Sequence, residues 1–370
     1  MNPLFTRVQV GLHSMKHRVV MAPLTRMRTD AGNVPGDLMV EYYAQRATHG
    51  GLLISDATAV SPLGIAYAGA PGIYTDAQVQ GWRRVTDAVH AKGGRIFLQL
   101  WHAGRQAHPA NIGGETPVAP SAIRSFEHAA IHDEHGQVIE VDQVLPRALS
   151  IEEIPAVIEA FRRGALLAKQ AGFDGVELHA ANGYLPDQFL QDGSNHRTDA
   201  YGGSIENRAR FLFEVVDAVN SVWRADGIAV RLSPGSSYGS MSDSDPRATF
   251  GYVVRRLNEY GLAYLHVVEP RVRGIEDVQA AESALSAGDL RRDFDGTIVA
   301  AGGFTADSAR RIIEDGDADL VAFGRLFISN PDLPERLRVG APLNRYDRAT
   351  FYGGDARGYT DYAFHSPVTL

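Results

Sequence analysis

The residue types best suited to catalysis lie in one short segment, His179-Ala-Ala-Asn182-Gly-Tyr184, directly after the apolar run 175–178. His179 and Asn182 can turn toward one point and bind a carbonyl or nitro oxygen. The phenol of Tyr184, with an ordinary pKa of about 10, keeps its proton at neutral pH and can give it to an adjacent carbon. This set predicts the reduction of an activated C=C bond, with the hydride supplied by another group.

Eight short aliphatic or β-branched runs recur along the chain, and the His179 segment follows the fourth. The runs cover residues 18–22, 51–56, 95–100, 175–178, 228–232, 263–268, 297–301 and 319–323. Continuous apolarity is typical of parallel strands that are covered on both faces. Helical periodicity lies between most of the runs, at 76–91, 151–171, 204–224, 247–260 and 305–315. This alternation predicts a single (β/α)8 TIM barrel of the α/β class, with a doubly wound open sheet as the alternative.

The helix predicted over 151–171 has the clearest end signals. Ser150 and Glu153 match a capping box at its start. Gly172 is a typical helix stop, because glycine adopts the left-handed conformation that often follows a helix.

Two stretches lie outside the alternation. Residues 5–10 and 13–15, around Gly11, predict an N-terminal hairpin that plugs the bottom of the barrel. Residues 102–149 form a long excursion after strand 3, in which Ile131 and residues 138–141 predict a hairpin over the barrel mouth. Because no linker or low-complexity segment interrupts the chain, we expect residues 1–370 to form one barrel domain.

Polar groups at the ends of the other strands should meet at the same barrel mouth, because active groups of TIM barrels come from the carboxyl ends of different strands. Gly302-Gly303 before a helix and Gly324-Arg325 after the last strand predict a phosphate site of backbone N–H groups, a helix N-terminus and a guanidinium. Many cofactors and sugars carry a phosphate, so the type of ligand must be inferred from the residues at the remaining strand ends.

Those strand ends suit a flat heteroaromatic ring. Gln99 offers a donor and an acceptor to an imide edge. Arg231 can hold the negative charge that develops on the N1 side of a reduced flavin, and Thr25 can bond the C4 carbonyl side. A phosphate site, together with a side chain that can bond an imide edge (Gln99) and a cation (Arg231), predicts that the ligand is FMN.

Six sequence blocks carry a family resemblance: 18–26, 99–105, 173–184, 195–208, 301–304 and 323–325. On these blocks the chain resembles the Old Yellow Enzyme family of FMN-dependent ene-reductases. The resemblance extends from about residue 3 to about residue 362, and the block Asn195-His-Arg-Thr-Asp-Ala-Tyr-Gly-Gly-Ser-Ile-Glu-Asn-Arg208 is its most specific motif.

The resemblance implies roles for individual residues. It implies that Thr25, Ala57, Gln99, Arg231, Gly303 and Arg325 contact FMN, with Pro23, Leu24, Gly302 and Gly324 completing the cofactor site. It further implies that His179 and Asn182 hold the electron-withdrawing group of the substrate and that Tyr184 is the proton donor. NADPH, or NADH, is the implied hydride donor. Tyr67, Trp101 and Tyr352 are expected either to line the substrate pocket or to pack in the core.

Composition narrows the function classes. The chain of 370 residues has a net charge of −8 and no cysteine. Disulfides, thiolate metal sites and cysteine-held iron–sulfur clusters are therefore excluded, and nucleic acid is not an expected partner. The absence of a long apolar run and of a signal-like N-terminus predicts a cytoplasmic protein without a membrane partner. Histidines 102, 108, 128, 132 and 135 lack metal-ligand spacing, so no metal is predicted.

Together these features predict a ping-pong ene-reductase that acts on a small activated alkene, as a monomer or a homodimer. Two alternatives stay open on sequence grounds. One is a lyase or isomerase barrel that uses the same phosphate corner. The other is a flavin-binding module without catalytic turnover.

Overall fold

A closed barrel of eight parallel strands forms the centre of the computed structural model, which describes residues 2–135, 137–281 and 284–365. In chain order, barrel strands 1 to 8 are Val19–Met21, Leu52–Ala59, Arg95–Trp101, Gly175–Ala180, Ile228–Leu232, Tyr264–Val268, Ile298–Ala301 and Leu320–Phe323. Each predicted run overlaps one of these strands, although strands 2, 3 and 4 extend one to three residues past the predicted ends, and strand 8 closes on strand 1. The predicted TIM barrel is confirmed, and the open sheet is excluded.

The strands are buried because their side chains alternate between two layers. On strand 4, Val176, Leu178 and Ala180 pack outward in the core that the helices cover. Glu177 and His179 alternate with them and point into the barrel. This alternation places polar groups inside the barrel even though the sequence of the strand reads as an apolar run.

The helices occupy the connections between strands. They are Asp37–Arg46, Asp76–Ala91, Ile154–Gln170, Leu185–Leu190, Ile205–Asn220, Pro246–Asn258, Ala287–Leu290, Ala306–Glu314, Arg325–Ser329 and Leu333–Val339. The helix expected at 204–224 ends four residues early, at Asn220, with Ser204 as its N-cap. Across the described ranges, no helix is long and apolar enough to cross a lipid bilayer.

The start of the helix predicted at 151–171 is corrected. The helix begins at Ile154, and Glu153 is its N-cap without a side-chain capping bond. Only half of the expected capping box forms, since the Glu153 carboxylate accepts from the Ser150 N–H at 2.8 Å. The predicted end is confirmed: Ala171 is the C-cap and Gly172 follows with φ +87°.

The N-terminal hairpin plugs the barrel as predicted. Strands Val8–Val10 and His13–Met15 pair antiparallel around Gly11. Val10 and Met15 join the inner cluster that includes Leu52 at the amino end of strand 2. At Gly11, with φ +52°, an added Cβ would stand 1.8 Å from the carbonyl oxygen of Asp226, so only glycine fits this close approach.

Two further hairpins accompany the barrel. In the long excursion, His128–His132 pairs antiparallel with Val138–Asp142, which confirms the predicted hairpin. A second hairpin, Val272–Arg273 with Glu276–Asp277, follows strand 6 and was not predicted. Its strands are only two residues long and rich in charge, so they leave no alternating apolar pattern in the sequence.

Candidate active site

The predicted oxygen-binding pair lies where strand 4 ends. His179 is the fifth residue of Gly175–Ala180 and is 3% exposed. Burial, and then the charge of Arg231, hold the pKa of His179 well below its usual range, so its imidazole is neutral at physiological pH. Asn182 follows in the left-handed conformation with φ +56°, and its N–H donates to Ser233 Oγ at 2.7 Å. A neutral imidazole next to a turn of this kind can donate to a ligand oxygen.

Tyr184 connects this pair to two of the predicted pocket aromatics. Its ring centroid lies 4.7 Å from that of His179 and 5.2 Å from that of Trp101, in both cases edge to face. Its hydroxyl lies 2.9 Å from the hydroxyl of Tyr67, whose ring stacks on Trp101. Burial raises the pKa of Tyr184 well above its usual value, so the phenol holds its proton at neutral pH. The structure therefore brings these four side chains together.

The third predicted pocket aromatic, Tyr352, has no ring pair or hydrogen bond with this cluster among the described residues, but it is near enough to add to burial in raising the pKa of Tyr67 and Tyr184. Tyr352 is 49% exposed, and its ring is paired edge to face with Phe351 at 6.3 Å. Its neighbour Gly353 is bonded through its N–H to the Arg26 carbonyl, which fixes this segment beside the end of strand 1. A role for Tyr352 in the substrate pocket stays a prediction.

Below His179, the barrel interior contains a buried polar cluster. Gln99 Nε2 donates to Glu177 Oε1 at 2.7 Å, and His266 Nδ1 lies 2.8 Å from Glu177 Oε2. Arg231 is the strand neighbour of His179 and adds a positive charge that lowers the pKa of the buried His266. Gln99 and Arg231 were predicted from the sequence. Glu177 and His266 were missed, although a charged residue within a buried strand was a usable signal.

Three buried side-chain nitrogens near the carboxyl ends of strands 3, 4 and 5 have no hydrogen-bond partner among the residues that the structure describes. They are Trp101 Nε1, His179 Nδ1 and Arg231 Nε. Buried polar atoms are almost always paired in folded proteins. Unpaired nitrogens at the ends of neighbouring strands therefore indicate a polar ligand at this position.

The remaining residues predicted near the ring lie around the same mouth. Ala57 is opposite Gln99 in the pairing of strands 2 and 3. Pro23, Leu24 and Thr25 follow strand 1 directly, and Leu24 and Thr25 are partly exposed. Leu24 also borders the phosphate corner, since a Cβ at Gly324 would stand 3.3 Å from Leu24 Cδ2.

The predicted phosphate corner is assembled, but its arginine is paired. Gly302 and Gly303 have φ +126° and +60°, and Gly324 is the N-cap of the helix that Arg325 begins. The Arg325 guanidinium donates to both carboxylate oxygens of Asp277, at 2.5 and 3.0 Å. A Cβ at Gly303 would stand 3.2 Å from the same carboxylate. The Asp277 carboxylate thus lies between Gly303 and Arg325.

A second guanidinium at this corner was missed by the sequence reasoning. Arg271 Nε donates to the Gly302 carbonyl at 2.8 Å, and its guanidinium lies 4.2 Å from the ring centroid of Phe304. Its buried Nη2 has no partner within the described ranges. No motif marks Arg271, because it lies in the unpredicted hairpin region.

No group of three or more His, Asp or Glu side chains in the described part of the chain is arranged to hold a metal ion. Of the excursion histidines, His102 directly follows Trp101 at the end of strand 3, and its backbone carbonyl accepts from the Leu185 N–H at 3.0 Å. His128 pairs with Asp142 within its own hairpin, at 3.3 Å.

Comparison with known proteins identifies the family of this chain. The family model described as the NADH:flavin oxidoreductase / NADH oxidase family matches residues 3–344. The chain is 47% identical over 364 residues to 12-oxophytodienoate reductase 1 of Oryza sativa subsp. japonica, covering 98% of this chain and 93% of that protein.

Solved structures of related proteins are also similar to this chain, both in fold and in sequence. Morphinone reductase in complex with tetrahydroNAD superposes with a TM-score of 0.93 at 48% identity, covering 99% of each chain. An old yellow enzyme homologue from Zymomonas mobilis superposes with a TM-score of 0.92 at 40% identity, covering 97% of this chain and 99% of that one. The chain therefore belongs to the Old Yellow Enzyme family and is an FMN-dependent oxidoreductase, as its sequence motifs predicted.

Proposed function

We propose that this protein is an ene-reductase that reduces the C=C bond of α,β-unsaturated carbonyl or nitro compounds. The observation that carries the proposal is the neutral, buried imidazole of His179, with an unpaired Nδ1 and the Tyr184 ring beside it. The named relatives, a 12-oxophytodienoate reductase and a morphinone reductase, are reductases of small molecules. The family match argues against a lyase or isomerase.

FMN fits the donor set of the barrel mouth. Gln99 and Arg231 would hold the pyrimidine end of its ring, with Thr25, Ala57, Pro23 and Leu24 along the ring edge. Gly302, Gly303, Gly324 and Arg325 would hold the phosphate, which takes the place of the Asp277 carboxylate. When bound, FMN supplies the hydride that reduces the β carbon of the alkene.

His179 and Asn182 bind and polarise the substrate. Their donors hold the carbonyl or nitro oxygen and stabilise the negative charge that develops there during reduction, as an oxyanion hole does. A neutral imidazole suits this role, because it donates a hydrogen bond without a competing charge. Holding the oxygen at two points also fixes the α carbon relative to Tyr184.

Tyr184 keeps a proton available and gives it to the α carbon. Burial favours its neutral form, so the phenol is protonated at the pH where the enzyme works. Trp101 and Tyr67 restrict the ring, so the hydroxyl is held in one place.

The proposal extends to the hydride donor, the cellular location and the oligomeric state. We propose NADPH or NADH as the hydride donor; the tetrahydroNAD complex of morphinone reductase supports a nicotinamide donor. A cytoplasmic location, a monomeric or homodimeric state and the organisation of residues 1–370 as one domain stay predictions.

One cuvette experiment tests the function. The purified protein should show the absorbance spectrum of oxidised flavin. Anaerobic addition of NADPH or NADH should reduce the flavin and remove this absorbance. Addition of cyclohexenone should then reoxidise the flavin and restore the absorbance. A colourless protein that does not bind added FMN would contradict the cofactor. Bound flavin that neither nicotinamide reduces would favour the non-catalytic flavin module.

Tyr184→Phe tests the proton donor. Flavin reduction by the nicotinamide should be unchanged, because that step needs no proton from the phenol. Flavin reoxidation by cyclohexenone should slow about a hundredfold or more, the usual range for general acid catalysis. Stopped-flow absorbance measures both steps. Tyr260→Phe is the matched control, since it removes one phenol that bonds Asp217 on the outside of the barrel. Equal reoxidation rates for the two variants would contradict the assignment.

A further inference from the structure

A row of three phenols crosses the barrel mouth. Tyr67 Oη lies 2.9 Å from Tyr184 Oη and 3.1 Å from Tyr238 Oη. The three residues come from separate loops, which follow strands 2, 4 and 5. Tyr184 is buried, whereas Tyr67 and Tyr238 are partly exposed. The row thus connects the buried phenol of the proposed active site with two tyrosines whose side chains are partly exposed.

We propose that Tyr238 and Tyr67 form a proton relay that protonates Tyr184 as it gives its own proton to the substrate. The relay rests on the proposed function, in which Tyr184 is the proton donor. In it, Tyr67 and Tyr238 are positioning residues, because they act on the reaction through Tyr184.

Counting protons fixes the direction of the hydrogen bonds. Each neutral phenol has one O–H, and that of Tyr184 must point at the substrate. Its bond with Tyr67 must then be donated by Tyr67. Tyr67 has no second proton, so Tyr238 must donate to Tyr67. The hydrogen bonds of the row therefore all run in one direction: Tyr238 donates to Tyr67, Tyr67 donates to Tyr184, and Tyr184 donates to the substrate.

This direction of the hydrogen bonds avoids the formation of a buried phenolate, which is energetically unfavourable. Burial raises the pKa of Tyr184, and the hydrogen bond from Tyr67 acts in the opposite direction. Without a proton source, Tyr184 would become an anion in a buried site, which is unfavourable. A proton that moves from Tyr67 as the Tyr184 proton leaves avoids that state.

The outer phenol of the row is a weak acid. The Tyr67 phenol, burial and the Glu127 carboxylate raise the pKa of Tyr238 well above its usual value. The Arg273 guanidinium lies 5.8 Å from the ring centroid of Tyr238, but its charge is paired with Glu127. In the relay, Tyr238 therefore takes a proton from water as its own proton moves inward, so that no phenolate accumulates at the outer end.

The proton balance is simple. The β carbon takes the hydride that the nicotinamide donor supplied, and the α carbon takes the proton of Tyr184, so the C=C bond becomes a single bond with two new C–H bonds. The Tyr184 oxygen takes the Tyr67 proton, and the Tyr67 oxygen takes the Tyr238 proton. Tyr238 recovers a proton from water. The net result is one proton moved inward for each alkene reduced.

Tyr238→Phe in the FMN-loaded enzyme tests the relay. The ring stays, but the outer hydroxyl is lost. We expect flavin reoxidation by saturating cyclohexenone to slow about tenfold, less than for Tyr184→Phe because only the outer donor is removed. Flavin reduction by the nicotinamide and the KM for cyclohexenone should not change.

The reoxidation rate measured in mixtures of H2O and D2O distinguishes a proton relay from a purely structural role of these tyrosines. The reoxidation rate of the wild-type enzyme should depend on the deuterium fraction along a curve, because more than one proton moves. In Tyr67→Phe the dependence should become a straight line. Tyr67→Phe combined with Tyr238→Phe should be no slower than Tyr67→Phe alone, because the two residues act in series.

The outcomes separate the relay from the function it rests on. If Tyr184→Phe leaves reoxidation unchanged, the proton donor itself is wrong. If Tyr184→Phe slows reoxidation while Tyr238→Phe matches the Tyr260→Phe control, only the relay is wrong. A straight-line dependence in the wild type, or equal slowing of both half-reactions by Tyr238→Phe, would also overturn the relay.

Discussion

Glu177 lies within the barrel between two polar partners. Its carboxylate accepts from Gln99 and faces His266 Nδ1, and all three side chains are at most 1% exposed. Glu177 is also the negative charge that raises the pKa of Arg231 against the lowering effect of burial. A single carboxylate therefore orients one proposed flavin-binding residue and partly offsets the charge of another.

Glu177→Gln should change the reduction potential of the flavin. Removing a negative charge beside Arg231 leaves more positive charge near the ring, and positive charge favours the reduced, anionic flavin. We expect the midpoint potential to rise by about 30 mV, which is about 1.4 kcal/mol for a two-electron couple. Spectroscopic redox titration measures it. Glu159→Gln, on the surface of the helix Ile154–Gln170, is the control. An unchanged or lower potential in Glu177→Gln would contradict this electrostatic account.

At the scale of elements, the hairpin Val272–Arg273 with Glu276–Asp277 determines what the phosphate corner contacts. It places Asp277 against Arg325 and Arg273 against Tyr238. The Arg325 guanidinium holds the pKa of Asp277 below its usual value, so the carboxylate is charged at neutral pH. FMN phosphate and this carboxylate would then compete for the same guanidinium.

Asp277→Asn should tighten FMN binding. The variant removes the competing charge and its repulsion of the phosphate. Because Asp277 is 65% exposed, the competing ion pair is worth at most about 1 kcal/mol, so the dissociation constant should fall about fivefold. Quenching of FMN fluorescence by the apoprotein measures it. Glu314→Gln, whose carboxylate pairs with Arg310 at the far end of the helix Ala306–Glu314, should bind FMN like the wild type. Weaker binding by Asp277→Asn would show that the carboxylate supports the site.

At the scale of the whole molecule, Arg26 joins the start of the barrel to its C-terminal segment (residues 350–358). Its guanidinium donates to the carbonyls of Phe351 and Gly358, both at 2.8 Å, and it is 1% exposed. Its own N–H donates to the buried Asp56 at 2.8 Å. Arg26 directly follows Thr25 in the proposed flavin site, so the same residue fixes the C-terminal segment and the end of strand 1.

Arg26→Met should destabilise the protein strongly. It leaves buried carbonyls without donors, and hydrogen bonds to a charged group contribute about 1.5 to 3 kcal/mol each. We expect the free energy of unfolding to fall by about 3 kcal/mol or more in urea denaturation. Arg84→Met breaks an ion pair in which Arg84 is 54% and Asp37 88% exposed, and it should cost less than about 1 kcal/mol. Equal losses in the two variants would contradict the account.

The sequence was sufficient for the barrel because its signals are local. Each strand is a short apolar run that must be covered on both faces, and most of the runs are followed by a segment of helical periodicity. Thr75 and Gln78, for example, form a full capping box at the helix Asp76–Ala91, whose predicted bounds are the observed ones. Five of the six family motifs likewise lie at a single strand, and they contain most of the candidate site residues; the block 195–208 lies instead at the start of the helix Ile205–Asn220.

Partners across the barrel left no such local signal. Glu177 meets His266 from a strand 89 positions away, and Asp277 meets Arg325 from 48 positions away. The row Tyr238–Tyr67–Tyr184 joins three loops. The sequence alone thus determined the class of fold, the family and the residue types at the strand ends. Which of those residues pair with each other, and which keep a free donor for a ligand, was decided only by closure of the barrel, because closure brings distant strand ends within hydrogen-bonding distance.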